Sequence, residues 1–202
     1  MLYGIYQKKK LIKQKKNFED RIKYGFPNYF GEQRFGSYDS RLGFFAEKFL
    51  KAQYNGAVKA VLCSIYPEDK RDVKDKKKQL FEHWGDFKYC LNLAKTPLEK
   101  RILTFLSENT KKFLNAIHLI PLQDISTYFS AYQAYLWNKM LNKFLMAKLK
   151  DPTIVNIKEW KFLSYHIVDL NILEYLKQVV LPTHGLNPYF MNDEVERCYD
   201  EV

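Results

Sequence analysis

At 202 residues the chain is long enough to bury one good core or parts of two. Hydrophobic content of 47% and aromatic content of 16% exclude wholesale disorder, and no apolar run reaches the roughly 18 to 20 residues of a membrane helix. Lys+Arg 33 against Asp+Glu 23 leave a formal charge of +10, which favours polyanionic partners, nucleic acid before anionic membrane.

The chain opens with an apolar stretch followed by Lys8, Lys9, Lys10, Lys13, Lys15 and Lys16. Apolar residues before charge reverse the order of a secretory signal, so a cytoplasmic location is expected. The lysines read as a solvated terminus or as an arm touching RNA. A short helix is expected from Asn17 to Lys23, stopped by Gly25 and Pro27. Next comes Asn28-Tyr29-Phe30-Gly31-Glu32-Gln33-Arg34-Phe35-Gly36, which follows neither a period of two nor one of 3.6. Two glycines suggest unusual dihedrals or close approach by another group. Arginine offers a fork for phosphate and the aromatics offer flat faces for a base. The segment therefore reads as the wall of a site.

Asp39 or Ser40 is expected to cap a helix through Leu42, Phe45, Phe49 and Leu50, broken at Asn55-Gly56 and resumed from Ala57 to Tyr66. Pro67 to Lys78 is nearly all charge and reads as a surface loop leading into an exposed helix, with Leu80, Phe81 and Trp84 at its buried end. Thr96-Pro97-Leu98-Glu99 is a capping box with proline at the first helical position. A second helix is expected from about Thr110 to Pro121. The longest helical pattern runs from about Asp124 to Lys150. Trp160 to Ile167 alternates like a strand. Asp169 is placed to cap a helix to about Val180, and Asn192 to Val202 begins an acidic helix. Cys63, Cys90 and Cys198 lack CxxC spacing and read as reduced, buried thiols. His83, His118, His166 and His184 have no ligand spacing, so no metal site is expected.

Pro27 to Gly36, PNYFGEQRFG, resembles a signature of the tRNA pseudouridine synthase D (TruD) family. Ala131 to Asn138, AYQAYLWN, resembles a second family segment, A-Y-Q-S/A-Y-x-W/F-N, in the right order. The likeness covers roughly residues 17 to 190. It implies an α+β, predominantly helical fold. Residues 1–38 would be a remnant of the catalytic domain and 39–202 the family's helical insertion. It also implies isomerisation of uridine to pseudouridine in tRNA, without metal or organic cofactor, by an aspartate acting on a flipped-out base. The residues expected to border that pocket or touch RNA are Asn28, Tyr29, Phe30, Gly31, Gln33, Arg34, Phe35 and Gly36. Tyr132, Gln133, Trp137 and Asn138 belong to the second motif, and the buried amides are expected to tie the long helix to the catalytic sheet.

The family's aspartate sits in a G-x-K-D-K/R-x-A segment upstream of the signature, and the 202 residues contain no such segment. Lys74-Asp75-Lys76 repeats its K-D-K core but lies after the signature in a lysine-dense run, and reads as helix surface. The expectation is thus a portion of a monomeric synthase, inactive alone, with tRNA as partner. The alternatives are a non-catalytic RNA-binding module and a helical scaffold unrelated to RNA.

Overall fold

The computed structural model describes residues 24–165 and 168–202. The basic opening segment, the helix expected over 17–23 and the residues His166 and Ile167 lie outside them. The architecture is α+β and mainly helical, with a two-stranded antiparallel sheet. By packing, the described residues form two compact units: Gly31–Ala134, and Tyr24–Phe30 together with Tyr135–Val202. These boundaries reflect contacts, whereas the division at 38/39 rests on family likeness.

The unit Gly31–Ala134 begins with a 3-10 turn, Glu32–Phe35, followed by α1 (Phe45–Leu50), α2 (Tyr54–Cys63) and α3 (Arg71–Glu82). Then come α4 (Phe87–Leu93), α5 (Pro97–Glu108), α6 (Phe113–Ile117) and the first part of α7 (Leu122–Lys148). Its core joins Phe45, Val58, Leu62, Leu80, Phe87, Ile102, Leu103, Leu106 and Ile117. Phe129 and Tyr128 of α7 pack their rings on Phe45.

Four local expectations need correction. Asp39 does not cap a helix, since α1 starts only at Phe45 and has no side-chain cap. The Asp39 carboxylate instead accepts from the N–H groups of Arg41 at 2.8 Å, Leu42 at 3.1 Å and Ile65 at 2.8 Å. It closes a turn that ends at Gly43, whose φ of 71° suits glycine. Asn55-Gly56 does not break a helix either. It lies in the first turn of α2, with the Lys48 stem over Gly56, and the break falls earlier, at Ala52 with φ 55°. The charged stretch is already helical from Arg71, and α6 begins at Phe113 rather than near Thr110.

In the other unit, the rest of α7 packs against β2 (Trp160–Ser164), α8 (Leu170–Gln178) and α9 (Asp193–Asp200), and β1 (Thr153–Ile157) pairs with β2. The sheet is a hairpin with Ile154 opposite Leu163 and Ile157 opposite Trp160. Sequence reading finds β2 and misses β1. Asp169 caps α8 through Asn171 N–H, and Asn192 caps α9 through Val195 N–H. The acidic helix α9 presses Val195 and Cys198 onto Met140 and Phe144 of α7. No helix among the described residues is long and apolar enough to cross a membrane.

Candidate nucleic-acid interface

The two motifs meet first through a paired amide contact. Asn138 is buried on α7, and its Oδ1 accepts from Phe30 N–H at 2.9 Å while its Nδ2 donates to the Phe30 carbonyl at 2.9 Å. A side-chain amide satisfies both backbone groups of one residue, as a neighbouring strand would. Phe30 lies edge-on to Trp137, with ring centroids 5.4 Å apart. Trp137 Nε1 in turn donates to the Leu181 carbonyl at 3.3 Å. The buried amide thus ties the long helix to the signature itself.

Tyr29 is held one turn along α7. Its hydroxyl donates to Asn142 Oδ1 at 2.6 Å and accepts from Leu163 N–H at 3.1 Å. Its ring lies 4.8 Å from Phe162. Burial pushes its pKa up to about 12, against the weaker opposing effect of the Leu163 N–H bond. The hydroxyl therefore keeps its proton and stays a donor. Asn142 also accepts from Leu163 N–H at 2.9 Å and donates to the Lys161 carbonyl at 2.7 Å. Sequence reasoning missed Asn142, although its place four residues after Asn138, on the same side of the helix, was a usable signal. Asn28 is exposed beside a cavity of about 260 Å³ whose walls include Phe26, Pro27, Trp137, Leu141 and Tyr165.

The rest of the signature belongs to the unit Gly31–Ala134. Arg34 N–H donates to the Gly31 carbonyl at 3.0 Å, closing the 3-10 turn. Phe35 is buried, while Gly31, Gln33, Arg34 and Gly36 are exposed. Phe35 thus anchors the turn and the polar residues face outward. The glycines do not have the conformational role expected of them: φ is −77° at Gly31 and −58° at Gly36. Open space surrounds the position of a Gly31 side chain, and at Gly36 only the Gln33 carbonyl comes within ordinary contact. What the glycines leave is room for close approach at the turn's surface. From the second motif, Tyr132 packs on Phe44 at 5.3 Å, and Gln133 is half-buried on α7.

Asp75 is more than half exposed on α3 and lies 3.5 Å from Lys78, so this carboxylate is helix surface, whereas the last residue of the K-D-K triplet is not. Its neighbour Lys76 is buried against Glu99. All three cysteines are free and buried, and burial raises each thiol, that of Cys63 to about 12. Among the described residues no group of three His, Cys, Asp or Glu could hold a metal ion.

A mainly helical α+β chain with a glycine-aromatic-arginine turn and an amide clasp on a long helix is the class that fold and site define. The family model of tRNA pseudouridine synthase D (TruD) matches residues 3–156, and the chain belongs to that family. A protein named probable tRNA pseudouridine synthase D 1 from Methanococcus maripaludis is 30% identical over 168 residues, covering 79% of this chain and 42% of that protein. The tRNA pseudouridine synthase D of Aquifex aeolicus is 32% identical over 183 residues, covering 89% of this chain and 45% of that one. The crystal structure of a TruD protein from Methanosarcina mazei shares the fold, with a TM-score of 0.63 at 16% identity over 96% of this chain and 50% of that one. The chain spans less than half the length of these two relatives.

Proposed function

We propose that this chain is a portion of a cytoplasmic, monomeric pseudouridine synthase that isomerises uridine in tRNA, and that it supplies the border of the nucleotide site rather than the reacting carboxylate. The clasp of Phe30 by Asn138 carries this reading, because it joins the two family-like segments by hydrogen bonds that nothing in the helix alone requires. Residues 1–38 then go with the catalytic domain and 39–202 with the helical insertion.

The chemistry asks for a base turned out of its stack, cleaved from its sugar, rotated and rejoined through carbon. An exposed turn carrying Gln33 and Arg34, with glycines on either side, suits contact with the RNA backbone at close range. Tyr29 is locked by Asn142 and by the Leu163 N–H. Asn28 and Phe30 are exposed as well. The aspartate that acts on the nucleotide would come from a G-x-K-D segment outside these 202 residues.

The test measures release of tritium from tRNA labelled at uracil carbon 5, a proton lost only when the new carbon bond forms. The chain alone is expected to bind tRNA and release none. A polypeptide joining it to a family G-x-K-D segment is expected to release tritium, and Arg34→Ala in that polypeptide to lower kcat/KM at least about tenfold with little change in melting temperature. Equal turnover in variant and parent would remove Arg34 from the site.

A further inference from the structure

The two edges of the hairpin are treated differently. On β2 the outward groups are occupied: Leu163 N–H is bonded to Asn142 Oδ1 and Tyr29 Oη, and the Lys161 carbonyl accepts from Asn142 Nδ2. Because Leu163 and Lys161 turn their backbone groups away from β1, their opposite numbers must do the same on the other side. Those are Ile154 and Asn156 of β1. Among the described residues, no backbone hydrogen bond outside the ladder reaches either one.

The side chains of β1 repeat the message. Ile154 is 51% exposed, Val155 39% and Ile157 46%, so apolar residues are bare on both faces of one strand. A lone two-stranded hairpin is marginal in water, and a bare apolar edge is a template for another strand. Lysine, proline or a bulge would blunt such an edge, and β1 has none of these across Thr153–Ile157.

We infer that the outer edge of β1 receives an extended segment from the part of the synthase that these 202 residues do not include. This rests on the proposed function for the identity of the partner. The size of that part supports it: more than half of the Methanococcus maripaludis and Aquifex aeolicus relatives lies outside the match. The incoming strand bonds to the N–H and carbonyl groups of Ile154 and Asn156 and lays apolar side chains over Ile154 on one face and Val155 and Ile157 on the other.

The probe is the unmatched part of the Aquifex aeolicus relative, expressed as its own polypeptide and linked flexibly where it lies on both sides of the match. The full chain is expected to capture it. Asn156→Pro removes an outward N–H while sparing the ladder through Thr153, Val155 and Ile157, and is expected to weaken capture at least tenfold with the circular dichroism spectrum retained. Ile154→Lys, which keeps the backbone unchanged, is expected to weaken it as well. No capture by the parent chain, or equal capture by both variants, overturns the inference. So does a dimer of the chain that Asn156→Pro dissolves, since the occupant is then a second copy. Capture without pseudouridine in the mixture would count against the proposed function and leave the docking edge standing.

Discussion

Asn138 does with one side chain what a strand does with its backbone. Replacing it by alanine leaves Phe30 N–H and carbonyl without their partners, and loss of both bonds at a partly buried position is expected to cost about 2 kcal/mol. The urea midpoint should fall accordingly with an unchanged slope. Asn138→Asp keeps the acceptor for Phe30 N–H but sets a carboxylate oxygen against the Phe30 carbonyl. It should destabilise at neutral pH and recover in part as acid protonates the new group. Tyr29→Phe removes a hydroxyl that both donates and accepts, leaving Asn142 to hold Leu163 N–H alone. About 1 kcal/mol is expected, smaller than for Asn138→Ala because one acceptor remains. Two equal losses would show that the helix and signature are held mainly by their rings.

At the scale of elements, α5 shows what sequence reveals and what it hides. Thr96-Pro97-Leu98-Glu99 announces a helix start, and the box forms in full, with Thr96 Oγ1 accepting from Glu99 N–H and Glu99 accepting from Thr96 N–H. The third partner of Glu99 is Lys76, buried on α3, and no local pattern points across 23 residues to it. Burial alone would raise the Glu99 carboxyl, but Lys76 and the N–H groups of Thr96 and Lys95 outweigh it and hold the carboxyl below its usual 4.5. A depressed carboxylate stabilises the fold above its unfolded pKa, and that contribution is lost as pH falls from about 4.5 through the lower folded value. Glu99→Gln is therefore expected to cost about 3 kcal/mol at neutral pH by stranding Lys76, and to flatten the acid limb of a stability curve. Asp39 is the reverse case. Its residue type suggested a helix cap, but its best partner is Ile65 N–H, far along the chain, and tertiary bonding won. The strand β1 was hidden because Ile154, Val155 and Ile157 show no polar alternation, which fits a strand whose faces are both meant for covering.

Across the whole molecule, motif order was legible and the packing of the chain was not. Two short segments about a hundred residues apart carried the family. The packing of Tyr135–Val202 with Tyr24–Phe30 depends on α7 supplying Asn138, Asn142 and Leu141 at helical spacing, a partnership that no local pattern announces. The charge of +10 belongs to this scale as well. Neutralising phosphates releases condensed counterions, so the affinity for tRNA should fall with salt along a straight log-log line whose slope counts the contacts. About six contacts would cost roughly a thousandfold in affinity between 50 and 200 mM salt. Arg34→Ala should reduce that slope by about one, while Lys78→Ala on the outer face of α3 should leave it unchanged if that face does not meet RNA. A titration by fluorescence anisotropy at four salt concentrations measures all three slopes. A flat line for the parent chain would mean that its positive charge is solvated surface, and would count against the proposed contact with tRNA.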